Sequence, residues 1–136
     1  MVDPFMHEFI EVKYISEAKG RGGFAKKDIK RNTIVDIAHI VLIPNTEYNK
    51  IRKTVLFNYC YIWEDPKHMP EFRNAITFSV SQFINHSYKP NLKYLYDYDN
   101  KAIEFRAIRN ISKGEELTVN YNGLVKDLSP LWFKVE

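Results

Sequence analysis

The sequence predicts a mainly β protein, a β-rich α+β chain of short strands with short helices between them, and three observations carry that reading. Residues 9–15 alternate, with Ile10, Val12 and Tyr14 on a uniformly apolar parity, the pattern of a half-buried strand. Residues 33–43 hold Ile34, Val35, Ile37, Ile40, Val41, Leu42 and Ile43, a β-branched run that ends at Pro44 and makes one or two strands. Residues 93–98 and 102–108 form a hairpin around Asp99-Asn100-Lys101. In its second strand Ile103, Phe105 and Ala107 share the dry face, and Glu104 and Arg106 the wet one.

The remaining elements follow in order. Residues 17–23 are polar and glycine-rich and read as a turn, after which Phe24-Ala25 resumes the apolar pattern. Residues 48–56 suit a short helix, and the aromatic stretch 58–64 a strand. Two prolines within residues 65–70 mark a loop. Apolar and small residues from Ala75 to Ser81, then Phe83 and Ile84, lead into Asn85-His86-Ser87. An amide, an imidazole and a hydroxyl set directly behind a hydrophobic segment are expensive to bury without partners. Pro90 and Asn91 then impose a turn.

Totals bound the classes of function. The chain of 136 residues suits one domain with one core. Its net charge of +3 comes without any run of five like charges, so no nucleic-acid tail is indicated. Cys60 stands alone, which excludes an intramolecular disulfide and a thiolate zinc site, and the four histidines lack metal-ligand spacing. No metal site is expected. Residues 1–10 carry Asp3, His7 and Glu8 and lack the apolar core of a signal peptide, and no apolar run has the length of a membrane span. The expectation is an intracellular protein of unspecified oligomeric state.

Three stretches carry a resemblance. Asn85-His86-Ser87-Tyr88-Lys89-Pro90-Asn91 resembles the Asn-His-Ser-x-x-Pro-Asn signature of SET-domain protein lysine methyltransferases. Gly20-Arg21-Gly22-Gly23-Phe24-Ala25 resembles the family's Gly-x-Gly-x-Phe-Ala segment, and Gly114-Glu115-Glu116-Leu117-Thr118-Val119-Asn120-Tyr121 its Gly-Glu-Glu-Leu-Thr-x-x-Tyr strand. Each alone is weak, but the three fall in the family's order. The chain resembles the compact form of small viral and bacterial members, without a cysteine-rich zinc segment after Tyr121. It departs from the family where Asp36-Ile37-Ala38-His39 replaces a Glu-x-Tyr-x-Gly element, and where Tyr88 replaces the usual cysteine.

The resemblance implies a SET fold of several small sheets with short helices and a C-terminal pseudoknot. A single domain over 1–136 is expected, with its core at about 8–122 and a C-terminal lid at 123–136. The implied activity is transfer of a methyl group from S-adenosylmethionine to a lysine of a protein or peptide substrate. By position, Gly20, Arg21, Gly22, Asn85 and His86 would hold the cofactor, with Tyr121 beside its methyl group. Trp132 or Phe133 would stack near the adenine or wall the lysine channel. Tyr121 and Tyr59 would be the active-site tyrosines, and residues 85–91 should lie beside 115–121. Val119 stands where relatives carry a Phe or Tyr that bears on the number of methyls added. Two other readings stay open: a non-catalytic SET-like module that binds a lysine peptide or a partner, and an unrelated β-rich interaction domain.

Overall fold

The computed structural model describes residues 6–131. Among these residues three sheets surround one apolar cluster, and the second of them contributes the largest share of it. Strands β1 (Ile10–Ser16) and β2 (Gly20–Ala25) pair antiparallel. Strands β3 (Ile34–Pro44), β4 (Tyr61–Ile62), β5 (Phe72–Thr77), β7 (Leu92–Asp97) and β8 (Ala102–Ala107) form a sheet in the order β4-β5-β3-β8-β7. Strands β6 (Asn85–His86) and β9 (Thr118–Val119) pair parallel, although more than thirty residues separate them. The protein is mostly β; the described residues hold one α-helix, α1 (Asn45–Ile51), and two short 3₁₀ turns at Val55–Tyr59 and Val80–Phe83.

Alternation decides what the large sheet buries. Ile103, Phe105 and Ala107 of β8 are fully buried, while Glu104 and Arg106 face outward and pair with each other at 2.9 Å. Across the register, Ala38 meets Ile103, and Tyr94 and Tyr96 of β7 meet Phe105 and Ile103. The inner face therefore carries a tyrosine row beside an aliphatic floor. Trp63, fully buried, packs edge-on against Tyr96 and Tyr98 with centroids 5.7 and 4.9 Å away.

Several local expectations are corrected. The glycine-rich stretch is mostly strand: β2 begins at Gly20, and the turn is confined to residues 17–19, where the Lys19 amide donates to Ser16 Oγ. Tyr14, placed on the dry parity with Ile10, is 70% exposed, because the far end of the two-stranded sheet runs past the core and its register shifts after Tyr14. The helix starts earlier than expected, at Asn45, and stops at Ile51. Thr54 breaks it by capping the following 3₁₀ turn, its Oγ1 accepting from the Leu56 amide. That turn consumes residues 55–59 and leaves only Tyr61–Ile62 as strand. The third motif is extended but ladders only at Thr118–Val119, with isolated bridges Phe24–Glu116 and Ile29–Ile111.

Candidate active site at the β6–β9 junction

The parallel pairing of β6 with β9 brings the second and third motifs together. Asn85 lies opposite Thr118, and His86 opposite Val119. Asn91 secures the pairing. It is 2% exposed, its Nδ2 donates to the Glu116 carbonyl at 2.8 Å, and its Oδ1 accepts from the Thr118 amide at 2.9 Å. The sequence suggested a turn residue. The structure uses the same short amide as a clamp on another strand.

The first motif joins on the other side. Asn85 Nδ2 donates to the Arg21 carbonyl at 3.2 Å and to Glu116 Oε2 at 3.1 Å. Gly22 sits under this contact. A Cβ on it would lie 2.6 Å from Ile15 Cδ1, 2.9 Å from Asn85 Nδ2 and 3.0 Å from Glu116 Oε2, so any side chain here would push these three side-chain ends out of their present contacts. Gly20 has φ of 68° and opens the strand where a side chain would strain the backbone, but nothing in the site lies within 4 Å of its Cβ position. The Arg21 guanidinium stacks 4.5 Å over the Phe83 ring.

His86 connects the junction to Tyr121. Its Nδ1 accepts from the Tyr121 amide at 3.0 Å, and the two rings are 5.4 Å apart. Burial pushes the His86 pKa down, in keeping with an unprotonated Nδ1 that accepts. The Tyr121 hydroxyl donates to the Ile84 carbonyl at 2.9 Å. Burial, with Tyr59, Tyr94 and Glu116 nearby, raises its pKa to about 12, so at neutral pH it is a phenol and not a base.

Behind Tyr121 lies a cavity of about 500 Å³ walled by Tyr59, Tyr61, Tyr94, Tyr96, Tyr98 and Tyr121, with Gln82 and Glu64 also lining it. Burial raises the pKa values of Tyr61, Tyr94 and Tyr96, so these rings too stay neutral. Tyr59 and Tyr121, expected as partners in one site, share this wall.

The C-terminal segment folds back on the junction as far as it is described. Tyr88 donates to the Ser129 carbonyl at 3.0 Å, and Asn122 Nδ2 to the same carbonyl at 2.9 Å. Asn120, 3% exposed, donates to the Asp127 carbonyl. Trp132 and Phe133, assigned to the cofactor pocket, lie outside the described residues.

Glu116 and Gln82 were not singled out from the sequence. Glu116 follows from the third motif once its side chain is known to point at Gly22. Gln82 carries no motif signal and is found only by its position in space. The Asp36 element, which departs from the family pattern, is a half-buried latch. Asp36 accepts from Ser79 Oγ and from His7 Nε2 at 3.2 Å, and His7 Nδ1 accepts from the amides of Phe9 and Ile10. Among the described residues no group of three His, Cys, Asp or Glu is arranged to hold a metal ion, and no helix is long and apolar enough to cross a membrane.

Comparison with known proteins now decides the family. The SET domain model matches residues 20–122, from the glycine segment through Tyr121. This chain belongs to the SET-domain family of protein lysine methyltransferases. It is 30% identical to the Schizosaccharomyces pombe histone-lysine N-methyltransferase specific for H3 lysine-37, over 89% of this chain and 75% of that one. It is 32% identical to the Xenopus laevis histone-lysine N-methyltransferase SUV39H1, over 79% of this chain but 28% of the relative. Among solved structures it resembles a chain of apo ctPRC2 carrying mutations in Ezh2, with TM-score 0.67 and 26% identity over 82% of this chain and 15% of that one. It also resembles a Plasmodium falciparum protein classed as a histone methyltransferase, with TM-score 0.62 and 25% identity over 85% and 95% of the two chains.

Proposed function

We propose that this SET domain transfers a methyl group from S-adenosylmethionine to a lysine side chain of a protein substrate. The observation that carries the reading is the closure of three motifs, distant in sequence, on one point between Gly22, Asn85 and Tyr121. Fit to the cofactor is supported by the same point. Ile15, Asn85 and Glu116 close tightly on the bare Gly22 backbone, and the Glu116 carboxylate and Asn85 amide gathered there suit the ammonium and carboxylate of an amino acid. When bound, the cofactor would supply an electrophilic methyl on sulfonium, with a neutral thioether as leaving group, to the lone pair of the amine nitrogen.

The residues of this chain then have separate tasks. Arg21 through its backbone, Gly20, Gly22, Asn85, His86 and Glu116 hold the cofactor end, with Trp132 and Phe133 assigned to its adenine or to the channel wall. The tyrosine cavity takes the lysine stem and excludes water. A lysine brought into such surroundings near a sulfonium has its charged form disfavoured by like charge and by desolvation, so it sheds its proton to solvent without a strong base. Neutral Tyr121 orients the amine. Alignment of this kind supplies about 7–11 kcal/mol when the reacting atoms are near attack geometry. Residues 1–136 act as one domain, with 123–136 as a lid.

The names of the relatives support a histone or similar basic protein as substrate, and an intracellular, nuclear setting. The test is incubation of the purified protein with labelled S-adenosylmethionine and lysine-containing proteins. Label on lysine is the expected result. Cofactor or peptide binding without any transfer would instead make the chain a SET-like binding module.

A further inference from the structure

Gln82 is a polar side chain that the reading above does not use, and it stands in the cavity wall beside Tyr59 and Ile84. It belongs to the 3₁₀ turn Val80–Phe83, three residues before Asn85 and two before the carbonyl that accepts from Tyr121. Its Nε2 donates to the Tyr59 carbonyl at 2.7 Å. That bond fixes which end of the amide is oxygen, because a carbonyl partner requires the N–H end. Its Oε1 is shut off from solvent and accepts no hydrogen bond from any described residue. A desolvated acceptor left without a donor is costly, and such groups are rare enough in folded proteins to call for a use. Asn58, Glu64, Asn74 and Asn122 also stand among the rings of this wall, but among the described lining residues Gln82 is the one with a buried acceptor left over, and the ligand expected there brings N–H groups.

We propose that Gln82 Oε1 is the acceptor for an N–H of the substrate lysine amine, so that Gln82 both hangs the Tyr59 wall on the motif strand and selects how far methylation proceeds. The proposal deepens the methyltransferase reading and rests on it. A primary amine offers two N–H groups and a monomethylated amine one, so in the first two rounds one N–H meets Oε1 while the lone pair faces the methyl. After each round the new ammonium loses one proton to water. A neutral dimethylated amine has no N–H, and the third round would leave Oε1 buried and unpaired. Sites built to bond a substrate N–H discriminate against the analogue that lacks it for this reason. Gln82 thereby takes a role for which Val119, at the family's usual position, has no polar atom.

The experiment compares wild type with Gln82→Met, which keeps length and volume and removes both polar atoms. First, peptides bearing unmodified or trimethylated lysine are titrated into protein without cofactor. The ratio of their affinities should move towards the trimethylated peptide by about tenfold in the variant, the scale of one hydrogen bond. Second, single-turnover rates on unmodified and dimethylated peptides should converge by a similar factor, with cofactor affinity unchanged. Equal loss on all peptides, or no change in either ratio, would overturn the proposal. Gln82→Glu covers the case in which the Met variant does not fold. Its carboxylate would stabilise the ammonium, so the rise of rate with pH should move to higher pH, and an unmoved profile overturns the proposal as well. Wild-type protein that transfers no methyl at all defeats the methyltransferase reading alone, since the binding ratio still reports on Gln82.

Discussion

The two sides of Tyr121 are built in opposite ways. On the side of Asn85 and Gly22 the polar side chains are tied to other segments: Asn85 to Arg21 and Glu116, Asn91 to Glu116 and Thr118, His86 to Tyr121. On the cavity side, residues 45–59 bury none of their members, and Val55, Leu56 and Phe57 are 69%, 45% and 37% exposed. The Gln82 side chain ties that wall to the motif through the Tyr59 carbonyl. A fixed junction and a loosely held wall suit one constant ligand and one variable ligand, since low local stability is where adaptable binding segments are drawn from.

The comparison breaks first at Tyr121, which belongs to both sides. Tyr121→Phe keeps the ring and the amide that bonds His86 and loses only the hydroxyl on Ile84. Loss of one preorganised polar contact in an active site commonly costs about 2.7–4 kcal/mol, or two to three orders of magnitude in rate. Cofactor titration should be nearly normal and single-turnover methyl transfer slow. Equal turnover would remove Tyr121 from the chemistry.

A smaller effect is expected wholly within the junction. Asn85→Ala deletes two contacts around Gly22, one of them to a carboxylate. Hydrogen bonds to charged groups contribute about 1.5–3 kcal/mol, so cofactor affinity should fall by about one to two orders of magnitude, read by calorimetry. Unchanged affinity in folded protein would take Asn85 out of the site.

The junction was legible in the sequence and the wall was not. Asn85, His86 and Tyr121 announce themselves because a hydrogen-bonded junction demands particular atoms in particular order. Gly22 does so because a Cβ would displace the Asn85 and Glu116 side chains from their contact. The tyrosine wall demands only ring faces, which nine tyrosines scattered along the chain can supply in many ways, so Tyr59 was named and Tyr61, Tyr94, Tyr96 and Tyr98 were not. The strand pattern of β3, β7 and β8 was readable from alternation, because one face of each is wet. Alternation failed at Tyr14, where the small sheet outruns the core, and the helix was misplaced where Thr54 diverts the chain into a 3₁₀ turn. The Asp36 latch was visible only as a departure, since its partners His7 and Ser79 are far away in sequence.

That latch gives a pH test away from both sides. Burial works to raise the Asp36 pKa, but hydrogen bonds from His7 and Ser79 overcome it and hold the carboxyl below its ordinary value. A carboxylate whose folded pKa is depressed contributes stability that is fully present above the unfolded value, near 4, and is lost as pH falls through the folded one. Denaturant midpoints measured between neutral pH and pH 3 should fall at the acid end, and Asp36→Asn should flatten that fall while lowering stability at pH 7. An unchanged acid limb in the variant would mean the latch carries no such stability.

The smallest effect should come from the wall itself. Leu56 is half out of solvent contact on a turn that buries nothing, and its amide is capped by Thr54 whatever its side chain. Leu56→Ala should change folding stability by no more than about 0.5 kcal/mol, the usual range for exposed positions. An alanine there costs far less than at Leu117, which is fully buried beside the junction, where about 2–5 kcal/mol is expected for the same change. Hydrogen exchange gives the same contrast without mutation. Amides of residues 52–60 should open by local fluctuation, and those of 85–87 and 117–119 should exchange only with larger unfolding, because the latter are bonded across strands that the core holds together. If the wall proved as protected as the junction, adaptability could not reside in residues 52–60, and selection among lysine substrates would have to come from the tyrosine row of β7 instead.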